Sequence, residues 1–244
     1  MMAEGRIRLT GTYYNDKKIA FAPLSDLGNY LQVGQMILES GHSGKRIPSG
    51  DETAWLTYFT FFGHKKRTWR RASKEFGRII DRLSNDQIHV YNRVFWTPKG
   101  KYVLLDSAAK GRRSEDMDIA TLDQLLKTGT VREYSGVMFS ENGRLRFAPM
   151  GAYRLGEQSS ECLKEDPGVI AEYGISGAVM LSQVAGLFRC SPYVGGVTLK
   201  EGQEMVRTAS AMKSCCGDRL ELLGNLDDHN FQGSACGVWI ERNA

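Results

Sequence analysis

Strict alternation of apolar and polar positions predicts three β-hairpins. The first joins residues 6–14 to 17–23 near Asn15-Asp16, and the second joins 88–96 to 101–106 across "TPKG", where proline and glycine favour a turn. The third joins 131–140 to 144–149 across Glu141-Asn142-Gly143, since Asn-Gly favours the type I′ turn that matches strand twist.

The returning strand of the third hairpin alternates cleanly. Leu145 and Phe147 are expected on one face, and Arg144 and Arg146 on the other. The arginine face should therefore be the polar side of this hairpin.

Apolar residues at helical spacing predict helices between the hairpins. One covers 26–40 with Ser25 as its N-cap, and another begins after Asp118 and ends near Gly129. Two further helices are predicted at 174–189 and 201–214, followed by strands at 219–226 and 237–242. The stretch "TAWLTYFTFF" fits a buried helix or a strand equally well.

This order of elements predicts the fold class. Hairpins alternate with amphipathic helices but do not follow a β-α-β-α order, which favours an α+β fold with antiparallel sheet. We expect a single domain over residues 1–244, with a candidate subdomain boundary in the polar stretch near 107–117.

Composition narrows the class of protein. No window approaches the roughly 18 apolar residues of a membrane span, and the most apolar stretch, 175–188, is predicted to be a buried helix. The first residues lack the apolar core of a secretory signal. The cysteine count is odd and no C-x-x-C occurs, so we expect free thiols, a reducing compartment and a cytoplasmic location.

Charge is concentrated in one segment. Residues 65–82 hold eight basic and two acidic side chains, a net charge of +6, whereas the whole chain carries +4. The remaining residues therefore sum to −2. A slightly acidic body with one basic segment is an asymmetry typical of proteins that bind polyanions.

A helix over 65–83 would have two distinct faces. An apolar stripe of Trp69, Ala72, Phe76, Ile79, Ile80 and Leu83 would anchor it in the core, so its aromatics are not expected to stack on bases. The opposite side, which we call the basic face, consists of Arg67, Arg70, Arg71, Lys74 and Arg78. Four of the five charged i,i+4 pairs between Lys66 and Arg78 are like-charged, which disfavours an isolated helix and suggests neutralisation by an anionic partner.

The leading functional hypothesis is therefore a nucleic-acid-binding protein. We expect a non-catalytic subunit of a nucleoprotein complex, with nucleic acid and other protein subunits as partners, no membrane and no cofactor. RNP1 and C₂H₂ signatures are missing from the sequence, which favours contacts to phosphate rather than to bases. The candidate binding residues are Lys66, Arg67, Arg70, Arg71, Lys74, Arg78, Lys45, Arg46, Arg112, Arg113, Arg144 and Arg146.

Two alternatives remain open at this point. The first is a metal-dependent nuclease or phosphoesterase that uses Asp227, Asp228 and His229, although the same residues suit a turn between two strands. The second is a protein-interaction subunit whose basic face docks an acidic partner. The sequence contains no Walker pattern, because Glu39 and Arg46 stand where glycine and Ser or Thr are needed.

Overall fold

The computed structural model describes residues 7–14, 17–39, 45–63, 73–105, 117–227 and 230–240. The strands in these ranges are β1 Ile7–Tyr14, β2 Lys17–Leu24, β3 Ile88–Thr97, β4 Gly100–Leu105, β5 Arg132–Tyr134, β6 Val137–Phe139, β7 Leu145–Pro149, β8 Gly156–Glu157, β9 Tyr193–Gly195, β10 Val206–Cys215, β11 Arg219–Leu226 and β12 Cys236–Ile240. The helices are α1 Tyr30–Glu39, α2 Gly50–Phe62, α3 Ser73–Asn85, α4 Ile119–Lys127, α5 Ser160–Leu163 and α6 Pro167–Ala185.

The strands form two sheets. A small sheet has the order β1-β2-β12, and a large one has the order β5-β6-β7-β4-β3-β10-β11-β9-β8. Every named pairing is antiparallel except that of β9 with β11. The predicted α+β class with antiparallel hairpins is confirmed.

Helices cover both faces of the large sheet around β4 and β7. On one face α4 inserts Leu122 and Leu126 against Tyr102 and Phe147. On the other, the paired helices α2 and α6 contribute to the main core. These central strands are consequently buried on both sides.

The ambiguous stretch at 53–62 is helical, and its start explains why. Ser49 and Glu52 form a capping box, in which each side chain accepts from the other residue's backbone N–H. At the same end Gly174 of α6 has φ +71, and an added Cβ there would lie 2.4 Å from Asp51 Oδ2. Only glycine allows α6 to pass this close to α2.

The first predicted helix begins later than expected. Ser25 does not cap it, because Ser25 pairs with Ala235 beside β12. Instead Asn29 Oδ1 accepts from the N–H of Gln32 at 2.9 Å, and Gln32 Oε1 accepts from the N–H of Asn29 at 3.0 Å. This reciprocal cap starts α1 at Tyr30.

Two other predictions are wrong. Most of the predicted helix at 201–214 is β10, which lies between β3 and β11 in the large sheet. The outgoing strand of the third hairpin is broken into β5 and β6, because Ser135 and Gly136 both have positive φ and form an additional turn. The other two hairpins and the strands β11 and β12 are confirmed.

The apolar stretch at 175–188 lies largely within α6, as expected for a buried helix. By length and composition α6 could cross a membrane, but 72% of its most apolar window is buried inside the protein.

Strand β3 holds His89, whose Nε2 lies 3.0 Å from the Gly28 carbonyl oxygen in a buried setting.

Candidate nucleic-acid interface

Helix α3 separates its side chains as the sequence predicts. Phe76, Ile79 and Leu83 are buried in the main core, where the helix packs across β2 and β10. Lys74 and Arg78 are exposed on the opposite side. Within residues 73–83 the two-faced helix is therefore confirmed.

The exposed charges of α3 have acidic neighbours. Arg78 lies 3.1 Å from Glu75, and Arg82 lies 2.7 Å from Asp86. Both pairs are at least partly exposed, and such pairs contribute little to stability. A phosphate group could therefore replace either carboxylate at small cost.

Lys45 lies beside strand β12. Its stem passes Gly237, where an added Cβ would lie 2.4 Å from Lys45 Cε, and its ammonium lies 5.5 Å from the centre of the Trp239 ring. Burial raises the pKa of the Cys236 thiol to about 12, and Arg78 and Lys45 both act to lower it. Lys45 therefore remains a candidate phosphate contact beside β12.

Arg46, the neighbour of Lys45, is already engaged. Its guanidinium forms a two-pronged ion pair with Glu52 at the start of α2, with Nη1 2.7 Å from Oε2. Glu52 is buried, so this pair belongs to the structure around the capping box.

Arg146 is not a surface residue, and its place in the predicted binding set was wrong. It is 5% exposed and donates two hydrogen bonds to Asp51, at 2.9 and 2.8 Å. Arg146 does lie on the opposite face of β7 from Leu145 and Phe147, as predicted. That face is covered by α2 and α6 and is therefore not exposed to solvent. Arg144, at the hairpin end, is exposed as expected.

Several candidates lie outside the described residues. These are the predicted binding residues Lys66, Arg67, Arg70, Arg71, Arg112 and Arg113, together with the apolar Trp69 and Ala72. Their places in the interface remain predictions from the sequence.

The alternative metal site is also incompletely described. Asp227 directly follows β11, whereas Asp228 and His229 are outside the described residues. Across the part of the chain that the structure describes, no group of three or more His, Cys, Asp or Glu side chains could hold a metal ion.

Sequence reasoning missed a buried polar network under α6. Lys101 Nζ lies 2.5 Å from Glu172 Oε1, and Ser210 donates to Glu172 Oε2 at 3.1 Å. Burial raises the pKa of Tyr153 to about 12, and the charge of Glu172 adds to this effect. The sequence signal for this network is Lys101, which in a strand would share a face with the apolar Val103 and Leu105.

No protein-family model and no curated protein matches the chain. It is similar to a solved structure described as "Accommodation of massive sequence variation in Nanoarchaeota by the C-type lectin fold", at 10% sequence identity and a TM-score of 0.45. The alignment covers 94% of this chain and 100% of that one. A likeness at this level supports no conclusion about what this chain binds.

Proposed function

We propose that this chain binds nucleic acid through its phosphate backbone and serves as a non-catalytic subunit of a nucleoprotein complex. The observation that carries the proposal is the orientation of α3, which buries Phe76, Ile79 and Leu83 and leaves Lys74 and Arg78 in solvent. Because its apolar side chains fix the helix to the core, the basic side chains on its other side can be presented together to a row of phosphates.

The charge of the whole segment supports this assignment. Its net charge of +6 stands in a chain of +4, so the rest of the surface repels phosphate slightly. Such an asymmetry orients the protein as it approaches a polyanion. Lys45, beside Trp239 of β12, is a further candidate for a phosphate contact from outside the helix.

Contacts of this kind position a protein on nucleic acid without reading its sequence. Lysine and arginine on phosphate fix register and orientation, whereas base identity is read by groups that reach the base edges. Five contacts on a duplex would release counterions with a log-log salt slope of about −4.5. We therefore expect affinity that depends strongly on salt and weakly on sequence.

Lys74 and Arg78, the two residues of the basic face that the structure describes, provide a first test. Neutralising Lys74 and Arg78 together, as Lys74→Gln/Arg78→Gln, should reduce the magnitude of the salt slope on duplex DNA by about 1.8, because each lost phosphate contact removes about 0.9. The measurement is fluorescence anisotropy of labelled DNA over a range of salt concentrations.

The matched control neutralises an exposed lysine and arginine elsewhere, as Lys200→Gln/Arg189→Gln. The control should keep the wild-type slope. Equal slopes for both variants and the wild type would show that α3 does not touch phosphate. Cleavage of the DNA that requires a divalent cation would instead favour the phosphoesterase hypothesis.

A further inference from the structure

The turn between β10 and β11 carries two adjacent cysteines in an unusual backbone conformation. Cys216 has φ +53 and Gly217 has φ +74, and the N–H of Asp218 donates to the Cys215 carbonyl oxygen at 3.0 Å. Positive φ at both central residues is the pattern of a type I′ turn, in which the first of these positions favours asparagine or glycine. A cysteine at this position is unusual, and residues in such backbone conformations are often found at functional sites.

The conformation brings the two sulfurs together. Neighbouring residues in a regular strand point to opposite faces, but the left-handed Cys216 leaves its Sγ 3.9 Å from that of Cys215. Both side chains are exposed. Two thiolates at a Zn–S length of about 2.3 Å in tetrahedral geometry are roughly 3.8 Å apart, so the pair already has the spacing of a chelate.

We propose that Cys215 and Cys216 form a chelating site for a thiophilic metal ion or metalloid, which both sulfurs bind. A disulfide is the poorer alternative for this pair. Adjacent Cα atoms across a trans peptide are about 3.8 Å apart, below the range of about 4.4–6.8 Å usual for disulfides. A larger bridging atom closes the ring without that compression.

The surroundings favour a centre that needs only two sulfurs. In the described ranges no third His, Cys, Asp or Glu completes a three-ligand group, so further coordination positions would be left to water or to the ligand's own substituent. A trivalent arsenic carrying one organic group fits this requirement, whereas a four-coordinate metal ion would be held more weakly. The expected ligand is thus a thiophilic metal or metalloid atom that can form two bonds to sulfur.

Binding requires the loss of two thiol protons. The hydrogen bond and charge of Cys216 raise the pKa of Cys215, while Lys213 acts in the opposite direction. An arsenical of the type R–As=O accepts both thiols, forms two As–S bonds and releases one water, with no change of oxidation state. A divalent metal ion displaces the same two protons into solvent.

The test uses phenylarsine oxide and Cd²⁺ as separate probes on the full chain. We expect one arsenical per chain, seen by intact mass as an adduct formed with loss of water and reversed by an added dithiol. Either Cys215→Ser or Cys216→Asn should weaken this binding at least about 100-fold, because a single sulfur loses the chelate advantage. A Cd²⁺–thiolate charge-transfer band that needs the same two cysteines would extend the site to metal ions.

The controls separate this site from simple thiol reactivity and from misfolding. Cys162→Ser and Cys190→Ser remove other exposed thiols and should leave the adduct unchanged; Cys190 is the stricter control because its N–H donates to the Asp218 carbonyl oxygen of the same turn. Asparagine suits the turn at position 216, so Cys216→Asn should keep the wild-type melting temperature. An adduct that survives Cys216→Asn, or one lost in Cys190→Ser, would overturn the two-sulfur site.

Discussion

Reversing the charge of the whole basic face should abolish nucleic-acid binding at physiological salt without unfolding the protein. The variant replaces five residues with glutamate: Arg67, Arg70, Arg71, Lys74 and Arg78. Losing about five phosphate contacts and adding repulsion should lower the affinity by roughly 10³-fold or more. We expect the fold to persist, because the apolar stripe predicted from the sequence includes none of the five, and the core contacts of its members Phe76, Ile79 and Leu83 are unchanged. Anisotropy with labelled DNA and RNA, together with thermal unfolding, measures both effects.

The control must carry the same change in net charge at exposed positions away from α3. Five such residues are replaced with glutamate: Lys99, Lys127, Arg154, Arg189 and Lys200. If binding depends on the basic face, this control retains most of its affinity. An equal loss in both variants would mean that overall charge alone drives binding. Unfolding of the basic-face variant would contradict its assignment to the surface.

The second large effect is expected at the buried ion pair. Lys101→Met should lower the free energy of unfolding by about 3–5 kcal/mol, because it leaves the Glu172 carboxylate buried without its cation. Methionine replaces the lysine side chain with an unbranched apolar one, and it removes the ammonium, which lies 5.1 and 5.3 Å from the centres of the Trp96 and Tyr153 rings. The loss should therefore report on charge rather than on a cavity. Urea unfolding at neutral pH is the measurement.

Two further variants make this assignment specific. Lys101→Met/Glu172→Gln removes the stranded charge and should recover about half of the lost stability or more. Lys164→Met breaks an ion pair with Glu161 that lies in solvent, and it should change stability little. A small effect of Lys101→Met, similar to that of Lys164→Met, would show that the buried pair is not important for stability.

The elements predicted correctly are those in which the spacing of apolar residues and the capping residues in the sequence match the way the element packs in the fold. The stripe of α3 repeats at helical spacing, and the structure buries its members Phe76, Ile79 and Leu83 while Lys74 and Arg78 on the other side stay exposed. Asp118 caps α4 as expected, since its carboxylate accepts from the N–H of Thr121. One-sided burial leaves a clear period in the sequence, which can be read without knowing the fold.

The helix predicted at 201–214 is wrong over residues 206–214 because the environment of this segment hides the strand period. Alanine and methionine favour helices, and β10 lies between two strands and is buried on both sides over Thr208–Met212. A strand covered on both faces need not alternate between apolar and polar residues. Pairing with β3 and β11 overrode the local propensity.

The candidate site could be predicted only in part for a similar reason. Arg78 is exposed and Arg146 is buried, yet both stand at polar positions of their patterns, helical for Arg78 and alternating for Arg146. What separates them is the buried partner Asp51, which comes from α2, 95 residues away in the chain. Spacing within one element cannot reveal a partner brought in by the tertiary fold.

The most direct test of the central claim is a salt titration of the wild-type protein without divalent cations. Binding to labelled duplex DNA, single-stranded DNA and structured RNA is measured by anisotropy between low and physiological salt. If the basic face holds phosphates, at least one of these ligands should give a log-log slope of about −4 to −5. Absence of binding to all three at low salt would contradict the proposed function.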